Sequence, residues 1–390
     1  MPDWTKSMQH TFEYYLVDPG TWKDLKKINV VTSSSISRDA SAETRGSAAF
    51  SVTDMIEECY IRTYLVTIQN GVKERHALGT HMVQTPSSKF NGKTHAVTLD
   101  GYTPLLELKE NQPPIGYFVP KDMNVMEQAY LIARDRVRAP VIKAVCPTIT
   151  QYDFVADTSD TWLTYLSDLI ANQVYTDEDD VTKSRINNYI LDVDEMGRIL
   201  FAPYQDVSLM QPVWTYTDDN SSILYPDINM EHDLYGIPNV VEVVFSGVIG
   251  DNKEYHYVRV ENHDPNSPVS IETRGREIVY RDLNPTFGGF PTETMINEYA
   301  VQLMKALGKL QCTLTYTHGY CPVRLGDCVR LNYSRAGLTN VKAKVINQNI
   351  KCTPGCPVTE KAVYSIDLFN PKYLKIIDSA SDSESNGGVV

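Results

Sequence analysis

Apolar and polar positions alternate with a period of two through much of the first ~115 residues, the pattern of half-buried strands. Ile28–Ser37 is rich in β-branched residues, and Gly46–Thr53 alternates small or apolar with polar side chains. Tyr60–Ile68 carries the strongest strand pattern and runs into Asn70-Gly71, a favoured type I′ hairpin turn. The return strand is expected from Val72 and again over Gly79–Thr85, with a second hairpin turn at Asn91-Gly92 leading into Thr94–Asp100. Short strands separated by turn chemistry predict a sandwich or small barrel. Open strand edges in such a fold are either covered or used for pairing with other chains.

The period changes after Pro113-Pro114. Asn124 heads a helix with Glu127 at capping-box spacing, and Val125, Met126, Ala129, Tyr130, Ile132, Ala133 and Val137 form its apolar face. Pro140 closes that segment. A second helix is expected from Ser159-Asp160, with Trp162, Leu163, Leu166, Leu169 and Ile170 at helical spacing. Both faces read as ordinary core. Tyr189–Val193, a turn at Asp194–Gly197 and Arg198–Ala202 predict a hairpin. The stretch 204–235 is rich in Tyr and punctuated by Pro; within it, Pro212–Thr217 suits a strand. A second β region begins with Val240–Phe245, turns at Gly250–Asn252 and returns over Tyr255–Val260. Thr292 is expected to cap a helix over 293–307 that ends at Gly308, with Tyr299, Ala300, Leu303, Met304 and Leu307 facing inward. Strands at Gln311–Thr317, Val341–Ile350 and Ala362–Leu368 follow, and Ser379–Val390 has the composition of a disordered tail.

Charge narrows the function classes. The chain has 390 residues and a net charge of −13. Residues 151–200 hold eleven acids against three bases, densest at Asp177–Asp180. Such a surface does not attract a polyanion, so sequence-specific nucleic-acid binding is not expected. The Asp177–Asp180 run lacks the spaced carboxylates and Gly of an EF-hand and reads as a solvated loop. No apolar run approaches the ~20 residues that span a bilayer. The N-terminal Met1–Ser7 lacks the apolar core of a signal peptide, and folding in a cytoplasm is expected.

Candidate chemistry is sparse. Seven cysteines, an odd count, favour free thiols. Cys321, Cys328, Cys352 and Cys356 leave structural zinc or a disulfide open, although only Cys352–Cys356 has tight spacing. Cys312 and Cys328 read as small buried hydrophobes in strands. Among eight histidines, His81, His95 and His256 lie in strand patterns, and His232-Asp233 and His263-Asp264 are sequence neighbours that strand geometry points apart. A Cys–His hydrolase would need partners that meet only in space. Glu57-Glu58 and Glu107/Glu110 read as solvated acids. Phe287–Phe290 is Gly-rich without the Lys-Ser/Thr of a phosphate loop, and suits a mobile turn before the helix. No catalytic, cofactor-binding or metal residue is assigned. The 24 tyrosines suit subunit interfaces and also glycan stacking.

The stretch Tyr320-Cys-Pro-Val-Arg-Leu-Gly-Asp-Cys-Val-Arg-Leu331 reads as strand, tight turn at Gly326-Asp327, strand. Following a long helix and a strand, this Pro-x-x-x-Gly-Asp-x-Val-x-Leu element resembles the late β-domain of phage baseplate and tail-tip hub proteins. That family includes the late-control D proteins of contractile phages and the N-terminal hub part of VgrG. The helix–hairpin order through Gly197–Pro203 is similar to the family's inserted α/β domain. The resemblance implies a mainly β, α+β chain: a tube-like β-domain over 1–115, an α/β insertion over 116–203, and a crossover over 204–239. A second tube-like β-domain over 240–371 and a flexible acidic tail over 372–390 complete it. It further implies a structural part of a virion tail, assembled in a bacterial cytoplasm. Three chains, with two such domains each, would close a six-unit ring that continues the tail tube. The implied partners are copies of itself, a tail tube or distal tail protein, the tape measure, and a spike or tip protein, with DNA passing through the lumen at ejection. The chain departs from the family in its Cys352–Cys356 segment and in carrying no fused lysozyme or spike domain. A β-rich receptor- or glycan-binding tail protein, or a tail-associated hydrolase, is the alternative.

Overall fold

The computed structural model describes residues 2–378 apart from 55, 91, 94, 172, 177–183, 188, 206, 250–252, 284 and 286–290. The expectations for Asp177–Asp180, the turns at Asn91 and Gly250–Asn252, Phe287–Phe290 and the tail Ser379–Val390 fall outside the described residues. The fold is mainly β.

Seven strands open the chain: β1 (Gln9–Val17), β2 (Asp24–Ile28), β3 (Val31–Asp39), β4 (Gly46–Val52), β5 (Cys59–Gln69), β6 (Val72–Phe90) and β7 (His95–Tyr102). The β5–β6 hairpin turns at Asn70 and Gly71, with φ of 52° and 78°. Two successive positive φ values are what a type I′ turn demands, and Asn-Gly meets them at least cost. Eight successive residues of β5, Tyr60 to Thr67, are buried, so it sits mid-sheet with both faces covered.

The next stretch holds α1 (Leu106–Lys109), β8 (Phe118–Val119), α2 (Val125–Arg134), β9 (Phe154–Val155), α3 (Trp162–Ile170), β10 (Gln173–Thr176), β11 (Ser184–Asn187), β12 (Tyr189–Val193) and β13 (Ile199–Pro203). Asn124 caps α2 by accepting the Glu127 amide, as its spacing predicts. The second helix starts at Trp162, slightly later than expected, because Thr161 and Thr164 form a reciprocal capping box. The apolar faces of α2 and α3 pack with Val17, Trp22, Tyr60 and Met82 of the early sheet in one core. The insertion therefore has no separate core of its own.

Then come β14 (Trp214–Thr217), β15 (Leu224–His232), β16 (Val240–Ile249), β17 (Lys253–Asn262), α4 (Ile271–Arg274), β18 (Val279–Leu283) and α5 (Glu293–Leu307). The chain ends with β19 (Lys309–Gly319), β20 (Cys328–Tyr333), β21 (Leu338–Lys351), β22 (Pro357–Asp367) and β23 (Leu374–Asp378).

Contacts divide the chain into two units: Met1–Asn229 with Leu314–Ala362, and Met230–Thr313 with Val363–Val390. The first is built on a 13-stranded sheet with the path β15-β19-β22-β21-β3-β4-β7-β6-β5-β1-β2, and β20 joins β14 to β21 beside it. The boundaries differ from those the sequence suggests. Residues 314–362 were expected in a continuous 240–371 domain. Instead, β21 pairs antiparallel with β3, Ile350 opposite Ile36, and so the late strands complete the early sheet. The second unit is a four-stranded sheet, β18-β16-β17-β23. Its Val241, Val243, Val258 and Val260 pack against Ile296, Ala300 and Met304 of α5. The α5 cap at Thr292 and its inward face match the sequence reading. Residues 374–378, expected in a flexible tail, form β23 on β17.

Candidate functional site

The Tyr320–Leu331 stretch lies where two polar networks of the first unit meet. Its turn is self-fastened: the Arg324 amide donates to Asp327 Oδ2 (2.8 Å), and the Gly326 amide to the Val345 carbonyl (2.8 Å). Burial raises the Asp327 pKa. This leaves the Arg324 side chain free to reach outward from the turn, and its Nε donates to Glu195 Oε1 at 2.8 Å.

Glu195 belongs to the β12–β13 turn, which plugs into the sheet. Trp22 Nε1 and Arg62 Nη2 both donate to the Met196 carbonyl, at 2.7 and 3.0 Å. Thr80 Oγ1 donates to the Glu195 carbonyl at 3.3 Å and accepts from Arg62 Nε at 2.9 Å. Arg62 is buried, and its charge is matched by Asp24 at 2.8 Å. Arg198 closes the turn on Asp194 (2.6 Å). Gly197 holds a φ of +76°, and a Cβ there would lie 2.7 Å from Thr80 Cβ and 2.9 Å from the Trp22 ring. The turn is glycine at this point because backbone conformation and space both require it. Arg38, Arg45 and Arg324 face Asp192, Asp194 and Glu195 across a cavity of about 30 Å³. His81 lines the same cavity, and burial followed by the nearby Arg38 charge drives its pKa down to about 3. It is a neutral ring there.

The second network is fully enclosed. Glu360 Oε1 accepts from Tyr316 at 2.5 Å, and Oε2 from Gln348 Nε2 at 2.7 Å. His318 Nε2 lies 3.4 Å from Glu360 Oε2 and 3.1 Å from the Tyr216 hydroxyl. Its Nδ1 donates to the Gly319 carbonyl at 2.7 Å. Burial opposes charge on His318, but the bonds to Cys321 and Glu360 outweigh it and raise the pKa to about 10. His318 thus keeps its proton beside Glu360, both at 0% exposure. Gln348 links the networks, since its Oε1 accepts from Arg38 Nη1 (3.0 Å) while Arg38 Nη2 lies 3.4 Å from Glu195.

Cys321 Sγ sits 3.8 Å from His318 Nδ1, so a cysteine, a histidine and an acid do meet. The arrangement does not activate a thiol. Nδ1 already carries a proton directed at Gly319, and Cys321 is 2% exposed, which leaves no room for a substrate. The constellation locks strands together and does not present a nucleophile.

Other candidates scatter. The structure does not gather Cys321, Cys328, Cys352 and Cys356 at one centre; among the described residues no group of three or more His, Cys, Asp or Glu could hold a metal. Cys352 and Cys356 are free buried thiols, and burial raises both pKa values. Glu107 accepts from Tyr60 (2.8 Å) and pairs with Arg138, and Glu110 from Gln84 (3.0 Å). His263 bridges Glu272 (2.5 Å) and Glu261 (2.9 Å), while Asp264 accepts the Asn266 and Asn370 amides. Sequence reasoning placed the turns at 194–197 and 326–327 but not Glu360, Tyr216 or Gln348. Tyr216 lies 102 residues before His318, and no local pattern marks that pairing.

No protein-family model matches this sequence, and no curated protein matches it. Solved structures match it in fold. A tail protein from Neisseria meningitidis MC58 superposes with a TM-score of 0.58 at 12% identity, over 94% of this chain and 99% of that one. The 43 kDa tail protein of prophage MuSo2 from Shewanella oneidensis gives 0.57 at 11% identity, over 93% and 100%. A chain of the Francisella PdpA–VgrG complex gives 0.52 at 8% identity, over 92% of this chain and 58% of that one. The fold is that of phage tail proteins and VgrG-related components, as the Tyr320–Leu331 element led us to expect.

Proposed function

We propose that this chain is a structural hub of a phage tail baseplate or tail tip. Three copies form a ring that continues the tail tube, receives the tape measure within and seats a spike or tip below. The observation that carries this reading is the end-to-end match to tail proteins, 94% of this chain against 99% of one of them. Two features support it. Among the described residues the long sheet leaves an outer edge unpaired at β2, β15 and the side strand β14, and such edges suit a part that assembles with others. The Cys–His–acid trio, the arrangement that most resembles a catalytic site, is sealed. Ejection would then proceed by rearranged interfaces and not by a chemical step. The acidic surface, where it lines the channel, would repel DNA and keep its transit fast. The test is the mass of the purified chain by light scattering, with negative-stain images. A trimer with a central opening is expected. A monomer that binds host cells or cleaves a wall polymer would overturn the proposal.

A further inference from the structure

The second unit carries an open groove of about 650 Å³ whose floor includes Leu234, Leu310, Ile366, Leu368 and Phe369. The acids Asp264 and Asp367 line it, and no lysine or arginine does. Asp264 is spent on the Asn266 and Asn370 amides, whereas Asp367 is exposed and forms no ion pair among the described residues. Asp233 adjoins the lining residues His232 and Leu234 in sequence; it is exposed, and its Oδ1 accepts the Tyr235 amide at 2.8 Å while no ion pair neutralises it among the described residues. The groove therefore suits an apolar side chain flanked by cations.

The first unit presents such a segment. Strand β2, at the free edge of the long sheet, reads Lys23-Asp24-Leu25-Lys26-Lys27 with its preceding lysine. Leu25 is 69% exposed. Asp24 does not offset the lysines outwardly, because Arg62 (2.8 Å) and the Tyr64 hydroxyl (2.9 Å) hold its carboxylate. Lys27 reaches Glu13 at 3.0 Å, while Lys23 and Lys26 have no acidic partner among the described residues. An exposed leucine among three lysines is unusual on a chain of net charge −13.

We propose that the Leu25 edge of one copy docks in the Leu310–Phe369 groove of the next. Leu25 fills the apolar floor, the lysine stems cover its rim, and the ammonium groups face Asp367 and Asp233. The contact joins two different surfaces, so it is heterologous, and such contacts generate closed rings when the rotation permits. This inference rests on the ring reading above and names the contact that would build the ring.

Four proteins test it by analytical ultracentrifugation, with circular dichroism to establish folding: the natural chain, Lys23→Glu/Lys26→Glu, Asp233→Lys/Asp367→Lys, and all four changes combined. We expect each pair of reversals to weaken trimer formation about tenfold or more and the combined chain to recover it. Leu25→Ser is a fifth, milder variant, whose exposed position leaves folding intact, and it should weaken the trimer too. Variants that assemble as the natural chain does would overturn the docking site and leave the ring reading standing. Loss in each pair without recovery in the combined chain would overturn it as well. A natural chain that never forms a trimer would remove the ring and this contact with it.

Discussion

His318 holds its proton inside the protein because its interactions with Cys321 and Glu360 outweigh the burial that opposes its charge. A free imidazole has a pKa near 6.5, whereas this one is raised to about 10. The sign follows from linkage. Folding favours the protonated form, so the stabilisation is complete below the unfolded pKa of about 6.5 and is lost as pH rises through the folded value. The thermal midpoint of the natural chain should exceed that of His318→Gln most below about pH 6.5, and the gap should narrow through neutral pH and close toward about pH 10. A gap that stays constant across that window would show that the buried ring is neutral. The same residue marks the limit of reading the sequence. His318 lies three residues before Cys321 in the chain, but its acid is 42 residues away on another strand. Burial and partner identity, which set its charge, are properties of the sheet and not of the local sequence.

The β12–β13 hairpin shows what was legible among elements and what was not. Its turn at Asp194–Gly197 follows from local chemistry, in the same way as Asn70-Gly71 and the caps Asn124 and Thr292. Its destination does not. Only the fold reveals that the Met196 carbonyl receives Trp22 and Arg62 and that Glu195 receives Arg324, 129 residues later. Gly197→Ala tests the plug: left-handed backbone and the approach to Thr80 and Trp22 act together, at a cost of about 1–3 kcal/mol. Urea denaturation should report that loss, and hydrogen exchange should rise first at the 194–198 amides. Unchanged stability would mean that the turn rests on the sheet without depending on it. One strand missed in the sequence has a plain cause. In β15, Leu224–His232, seven of nine residues are exposed and Pro226 interrupts the pattern, so no two-residue period emerges. The alternation rule sees strands with one wet and one dry face; an edge strand wet on both sides carries no such signal.

Across the whole molecule, two-residue alternation foretold the early strands, and the Tyr320–Leu331 element foretold the mainly β fold that the tail-protein structures share. The assignment of 314–362 to the early sheet was hidden, because the pairing of β21 with β3 spans some three hundred residues and depends on register. Assembly is where net charge becomes decisive. Copies carrying −13 repel one another over long range, while the proposed Lys26–Asp367 rim attracts over a few ångströms. Salt separates the two, since the Debye length falls from about 30 Å at 0.01 M to about 8 Å at 0.15 M and about 3 Å at 1 M. Trimer formation should therefore strengthen from low to physiological salt, as mutual repulsion is screened first, and weaken again toward 1 M as the rim contacts are screened. Sedimentation across that range should trace both limbs. The chain with Lys23→Glu/Lys26→Glu should keep the rising limb and lose the falling one, because its like-charged rim can only gain from screening. A single monotonic rise in the natural chain would mean that apolar contact alone holds the copies together and that the lysines take no part.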